Sequence, residues 1–166
     1  MPNYCDYEMK IKGSKEAINR VVNCLKAEYN YGAGKPEHKH FFRIFEAYVD
    51  DEMEKNDDGT FTQFVSGYCA WSVYSCMCSG EHTYYSDCKD DFGKDFMGTT
   101  LFEQSEDCEI EVFSEEDGME FSEHYIFKKG RCVLDDCVKI SYTNDDDYVC
   151  LNPHREAPND VYRWEI

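Results

Sequence analysis

The sequence predicts a single-domain α+β protein whose core is an antiparallel β-sheet. Its first residues, 3–13, alternate between polar and apolar side chains with the period of a strand, and an amphipathic helical stretch follows directly. Aromatic-rich stretches with strand character then recur at 41–49, 61–71 and 108–128. A chain of 166 residues can bury one compact core and is short for two domains. We therefore expect one domain over 1–166, with an irregular insertion around 73–100.

The first predicted unit is a strand followed by a helix. In the strand NYCDYEMKIKG, one face is apolar and carries Cys5, Tyr7, Met9 and Ile11. The next stretch begins at Ser14, a residue type that caps helix N-termini, and an Asn-Tyr-Gly stop follows at 30–32. The apolar face of this helix is predicted to contain Ile18, Val21, Val22 and Leu25.

Two aromatic-rich strands are predicted to form an antiparallel hairpin after the first unit. FFRIFEAYV (41–49) and FTQFVSGYCAW (61–71) flank the turn sequence NDDG. Residues 72–107 are less regular, with Ser72 able to cap a short helix and GTTLFEQSED suggesting another helical turn. The second helix of a split β-α-β fold would lie in this region.

A second hairpin is predicted to carry an edge of carboxylates. CEIEVFS and MEFSEHYIFKKG are joined by the loop EEDG, and VKISYT supplies a third strand. Glu109 and Glu111 point away from the apolar residues between and beside them, while 115–117 occupy the hairpin tip. On the returning strand, Glu123 shares a face with apolar residues, so we expect it to be the one partly buried carboxylate.

Three stretches carry a family resemblance. The beginning MPNYC with Ile11 and Gly13, the AWS at 70–72, and EIEVFSEEDGMEFSEHYIFKKG resemble the YubB-like ferredoxin-fold proteins of plasmids, phages and other mobile elements. The chain departs from that family in having Tyr4 where a tryptophan is usual, in its many cysteines, and in the insertion-like segment 76–98. The resemblance implies a ferredoxin-like split β-α-β core extended by additional strands, and a mobile-element origin; it implies no catalytic residues.

The negative charge is concentrated in the middle of the chain. The formal net charge is −18, and residues 44–125 hold 22 acidic and three basic residues, a net charge of −19. Polarised charge of this size attracts partners of opposite sign and speeds their encounter. The sequence therefore predicts a basic protein partner, although acidic runs such as 49–59 are also typical of solvated loops.

Four of the ten cysteines fall within residues 69–88, which suggests a metal site. Cys76, Cys78, His82 and Cys88 would make a tetrahedral zinc set of three thiolates and one imidazole. The Cys-x-Cys step is shorter than usual for zinc, and free cysteine is also a common core residue, so both interpretations stay open. No motif singles out one cysteine as a nucleophile.

Further expectations concern the compartment and nucleic acid. The opening residues lack the apolar core of a leader peptide and no stretch approaches a membrane span, so we expect a soluble, cytoplasmic protein with reduced thiols. The basic segment 35–43 could touch phosphates, but the overall charge favours a solvated loop there.

Taken together, these patterns predict a non-enzymatic inhibitor of a host defence nuclease, anti-CRISPR in kind, that mimics nucleic acid in a basic groove and needs no cofactor. Its predicted partner-binding residues are Glu109, Glu111, Phe113, Glu115, Glu116, Asp117 and Glu120, with Tyr125 as a second aromatic anchor. The alternatives are a zinc- or thiol-dependent protein centred on 76–88 and a housekeeping protein of a mobile element.

Overall fold

The protein is built on an open, antiparallel seven-stranded sheet, as described by a computed structural model. The structure describes residues 3–26, 39–79, 98–139 and 164–166, and the backbone of two further short strands. Within these residues the sheet order is β2-β4-β1-β5-β6-β7, with β3 pairing beside β4. The strands are β1 Tyr4–Gly13, β2 Ile44–Val49, β3 Glu54–Lys55, β4 Phe61–Ala70, β5 Cys108–Glu116, β6 Phe121–Lys128 and β7 Arg131–Lys139, while β8 Arg155–Glu156 and β9 Val161–Tyr162 form a separate two-stranded sheet.

The predicted first β-α unit is confirmed. Strand β1 lies at the centre of the sheet, and its predicted apolar face is buried. Helix α1 (Lys15–Lys26) begins where Ser14 accepts a hydrogen bond from the backbone N–H of Ala17 at 3.1 Å. The predicted helix face, Ile18, Val21, Val22 and Leu25, is buried in the same core. The predicted stop at 30–32 lies outside the described residues.

The first hairpin is also confirmed, with an addition. Strands β2 and β4 pair antiparallel, and the short strand β3 pairs with the beginning of β4. A bulge falls between Ile44 and Glu46. Near it, the Tyr7 hydroxyl donates to the Glu46 carbonyl at 3.0 Å. Gly67 lies against the same Glu46 carbonyl. A Cβ atom at position 67 would be 2.0 Å from that oxygen, so only glycine fits there.

Two short helical pieces lie in the described parts of the connection between β4 and β5. A π-helical turn, Tyr74–Cys78, follows Ser72, whose hydroxyl accepts from the backbone N–H of Ser75 at 3.0 Å. Helix α2, Leu101–Gln104, has Thr100 as its N-cap. The predicted helical character at both places is confirmed, while the middle of the predicted insertion lies outside the described residues.

The second hairpin differs from the prediction at its tip and after its return. Strand β5 continues through Glu116, so the turn is 117–120 rather than 115–118. The reason is local: the Glu116 carboxylate accepts hydrogen bonds from the backbone N–H groups of Gly118 and Met119 and closes the turn. The third strand begins at Arg131 rather than Val138, because Lys129 and Gly130 both take positive φ angles and reverse the chain there.

The two faces of the sheet differ in what covers them. One face carries the core formed with α1, the π-helical turn and α2. On the other face, residues 164–166 lie over β1 and β5, while the part formed by β2, β4 and the start of β1 holds exposed side chains. Among the described residues, no helix has the length and apolar character needed to cross a membrane.

Candidate functional site

The acidic hairpin edge predicted from the sequence is mostly buried. Glu111, Glu115 and Glu116 are all buried, and Glu109 is half-buried beside Lys128 at 3.4 Å. The expectation that these carboxylates form one exposed edge is therefore wrong. Alternation correctly sets which face each side chain takes, but it does not reveal that residues distant in sequence cover that face. The exposed members of the predicted set are Asp117 and Glu120, both in the turn.

Glu111 is the anchor of residues 164–166. Its carboxylate is fully buried, and one oxygen lies 2.7 Å from His124 Nε2. The other oxygen accepts the backbone N–H groups of Glu165, at 2.7 Å, and Ile166, at 3.0 Å. Lys10 donates from its ammonium to the Ile166 carbonyl. A buried carboxylate that makes all these hydrogen bonds has a structural role, and its charge does not reach a partner at the surface.

Phe113, another predicted contact residue, is buried in the same cluster. Its ring stacks on the imidazole of His124 with centroids 4.0 Å apart. The indole of Trp164 meets it edge-on at 5.1 Å and meets Phe64 at 5.7 Å. Phe113 therefore holds residues 164–166 in place and is not exposed to a partner. Tyr125, the second predicted anchor, is buried on the core face.

Glu123 is buried as predicted, but the expectation that it is the one buried carboxylate of the hairpin is wrong, since Glu111, Glu115 and Glu116 are buried too. Its carboxylate accepts the backbone N–H groups of Val73, at 2.8 Å, and Tyr74, at 3.2 Å. The hydroxyls of Ser114 and Tyr125 donate to it as well. Burial raises the pKa of Glu123, while these four hydrogen bonds act in the opposite direction. Glu123 thus joins β6 to the start of the π-helical turn.

Two of the four predicted zinc ligands lie in the core. The thiols of Cys76 and Cys78 are buried in the π-helical turn. Burial raises the pKa of Cys78, with Glu123 acting in the same direction, and this opposes the thiolate form that zinc requires. His82 and Cys88 lie outside the described residues, and the described ones contain no group of three or more potential ligands. The zinc site stays a prediction.

The other cysteines of this region also contribute to the core. Cys69 pairs in register with Cys5, and hydrogen bonds with Cys5 and Cys76 raise its pKa. The eight cysteines within the described ranges are all free thiols. Six of them are buried, which fits the interpretation of cysteine as a small apolar core residue, while Cys132 is half-buried and Cys137 is exposed on β7.

The basic segment predicted at 35–43 is described from Lys39 onward. Lys39 pairs with Glu103 at 3.1 Å, and His40 is buried. The guanidinium of Arg43 lies over the rings of Phe42, at 5.4 Å, and Trp71, at 5.2 Å. These cations are engaged within the protein, so the described part of the segment does not form an open phosphate-binding patch.

The exposed part of the sheet carries a cluster of aromatic side chains that was not predicted as a site from the sequence. We call it the aromatic face; it consists of Tyr4, Phe45, Tyr48 and Tyr68 on the strands, together with Trp71 directly after the end of β4. Tyr4 is 64% exposed, Tyr48 56% and Trp71 43%. The rings of Tyr4 and Phe45 contact each other, with centroids 5.2 Å apart. Exposed apolar clusters of this kind mark interaction surfaces.

Trp71, directly after β4, takes a backbone conformation that only a few residue types adopt readily. It takes φ 62°, and Arg43, whose carbonyl accepts from the N–H of Ala70, takes φ 44°. The N–H of Trp71 donates to the carbonyl of Asn3 at 2.9 Å. Left-handed conformations of such bulky residues cost free energy, of order 1 kcal/mol each, and they concentrate at functional sites.

Carboxylates border the aromatic face, and we call them the acidic rim: Asp6, Glu8, Glu46 and Asp117. Asp6, Glu8 and Glu46 are exposed on the outward face of β1 and β2. Asp117 comes from the hairpin turn, where the next residue, Gly118, lies against the side chain of Asn3. Partial burial, and then the charge of Asp117, raise the pKa of Asp6. The hairpin turn therefore places the Asp117 carboxylate on the same surface as Asp6 of β1.

The alternation of polar and apolar residues in the sequence predicted part of this surface. It assigned Tyr4, Asp6 and Glu8 to one face of the first strand. It could not supply the register that sets Tyr68 opposite Asp6, nor the bulge that turns Phe45 toward Tyr4. Compared with known proteins, the chain matches no family model, no curated protein and no solved structure.

Proposed function

We propose that this protein is a non-enzymatic binding protein that engages a basic protein surface through the aromatic face and its acidic rim. The observation that carries the proposal is the exposure of four aromatic side chains on one part of the sheet and of Trp71 just beyond the end of β4, bordered by four carboxylates. Tyrosine and tryptophan supply much of the binding energy at protein interfaces. Carboxylates around them favour a cationic partner and disfavour nucleic acid itself.

The kind of partner follows from the charge of the whole chain. A net charge of −18 suits a partner whose own ligand is a polyanion. The positively charged channels of RNA-guided nucleases are surfaces of this kind. We therefore propose a host defence nuclease as the partner, inhibited in the anti-CRISPR manner by occupation of its nucleic-acid channel.

The strand order supports a finer description of the fold. The order β2-β4-β1-β5, with all neighbours antiparallel and α1 between β1 and β2, is the arrangement expected of a ferredoxin-like split β-α-β core. Strands β6 and β7 would then be the additional strands. This agrees with the proposed relationship to YubB-like proteins of mobile elements, from which we also infer action in the cytoplasm of the host.

The experiment is a displacement assay on purified RNA-guided DNA nucleases. Fluorescent target DNA is bound to each nuclease, and the protein is added at low and at physiological salt. We expect displacement of the DNA from at least one nuclease, with an affinity that falls steeply as salt rises. The double variant Tyr4→Ala, Trp71→Ala should bind about tenfold more weakly or worse.

The matched control is Tyr74→Ala. Tyr74 is also exposed, but its backbone N–H bonds to Glu123, so it belongs to the π-helical turn on the core side of the sheet. The Tyr74→Ala variant should displace DNA as effectively as the unsubstituted protein. Equal loss in the control and the double variant would remove the aromatic face from the mechanism. A failure to bind any basic channel, even at low salt, would overturn the proposed function.

A further inference from the structure

We propose that the aromatic face recognises arginine side chains, at a subsite formed by Glu46, Tyr68 and Asp6. This inference rests on the proposed function and specifies the partner's chemistry. The three residues belong to adjacent strands: Tyr68 on β4 pairs in register with Asp6 on β1 and with Glu46 on β2. We call this set the acid-tyrosine-acid row.

The register places the three side chains side by side. Directly opposed residues of antiparallel strands point to the same face, with Cβ atoms roughly 5 Å apart. All three residues are exposed. The ring of Tyr68 is therefore flanked by a carboxylate on each side, and no chain segment within the described ranges buries the row.

This arrangement suits a guanidinium better than an ammonium. A guanidinium is planar, so it can stack on the tyrosine ring while its edges donate paired hydrogen bonds to a carboxylate. An ammonium is a compact, strongly hydrated charge that gains less from either contact. Tyr4 and Phe45, in contact with each other beside Asp6 and Glu46, offer further ring surface to the side chain's aliphatic part.

One guanidinium of the protein itself already lies over aromatic rings nearby. Arg43 lies over both Phe42 and Trp71 at the border of the aromatic face. The charge around the row also favours an added cation: partial burial raises the pKa of Asp6, and repulsion from the Asp117 carboxylate raises it further. A guanidinium bound beside Asp6 would offset that repulsion.

The test compares two synthetic peptides of equal length and charge, one an arginine-glycine repeat and the other a lysine-glycine repeat. Affinity for the full chain is measured by calorimetry at physiological salt. We expect the arginine peptide to bind about tenfold more tightly. Tyr68→Ala and the double variant Asp6→Asn, Glu46→Gln should remove most of that preference, whereas Tyr68→Phe, which keeps the ring, should retain it.

The charge control is the double variant Glu54→Gln, Asp57→Asn, which removes the same two charges elsewhere. Glu54 lies opposite Thr62, six residues along β4 from Tyr68 and so roughly 20 Å away. This variant should weaken both peptides equally and keep the preference. Equal affinity for the two peptides in the unsubstituted protein would overturn the arginine inference and leave a basic partner standing. Binding of neither peptide, at low salt as well, would contradict the inference and the proposed function together.

Discussion

At the scale of single residues, the carboxylates of this acidic protein divide into two kinds. Glu111, Glu116 and Glu123 are buried and accept two backbone N–H groups each, so they stabilise particular pieces of chain. Asp6 and Glu46 are exposed beside aromatic rings, and although one Glu46 oxygen accepts from the Tyr48 hydroxyl, both carboxylates face solvent. The same residue types therefore serve the fold in one place and the proposed binding surface in another.

Glu123→Gln should destabilise the protein. An amide cannot accept four hydrogen bonds in place of the carboxylate, so we expect a loss of about 1–3 kcal/mol in the free energy of unfolding. Urea denaturation measures this loss. The control is Ser114→Ala, which removes a single donor and should cost less.

The pH dependence of stability should also report on Glu123. Burial raises its pKa in the folded protein above the ordinary value. The folded state therefore holds the proton more tightly, and this contribution to stability is full below the ordinary pKa and is lost as pH rises through the raised one. In Glu123→Gln that fall should be absent. A fall of the same size in the variant would show that another group causes it.

The pKa of Asp6 tests whether the hairpin turn joins the aromatic face. Asp117→Asn removes one of the two causes that raise it, so the pKa of Asp6 should move down toward its ordinary value. Carbon-detected NMR titration of the Asp6 carboxyl measures the change. Glu120→Gln, in the same turn, should leave the Asp6 pKa where it is; an equal shift in both variants would mean that the effect is only a change in net charge.

At the scale of elements, the sequence predicted the strands and helix α1 better than it predicted what covers them. The alternation in 3–13 and the helical spacing after Ser14 are local signals, and both were confirmed. The burial of Glu111 depends on residues more than fifty positions away, which no local pattern encodes. The position of the turn was predicted wrongly because the acidic residues EED suggested a solvated loop at 115–117. In the structure, the Glu116 carboxylate instead closes the turn at 117–120 by accepting two of its backbone N–H groups.

Residues 164–166 should be an important source of stability for the sheet. Trp164→Ala removes the ring that packs against Phe64 and Phe113, and we expect a loss of about 2–4 kcal/mol. Thermal or urea unfolding measures it. Trp71→Ala is the matched control. Because the indole of Trp71 is partly exposed, its removal should lower the free energy of unfolding by less. If the two variants lose equal stability, the packing assigned to Trp164 is wrong.

At the scale of the whole molecule, the net charge and the arrangement of the sheet faces must be considered together. The charge predicted a basic partner, and the structure changes which surface we expect to meet it. Exposed aromatic residues gather where β2, β4 and β1 lie adjacent, so the proposed surface depends on strand register. Register is a property of pairing between distant segments, which is why the hairpin was predicted as the site and the aromatic face was not.

The most direct test of this account is NMR mapping of the surface that a basic ligand contacts. The isotope-labelled full chain is titrated with a peptide of mixed arginine, lysine and glycine, and changes in backbone amide signals are assigned to residues. The account predicts that the largest changes fall on β2, the second half of β4, the first half of β1 and the 117–120 turn. Changes concentrated instead on β7 or on the π-helical turn would contradict it.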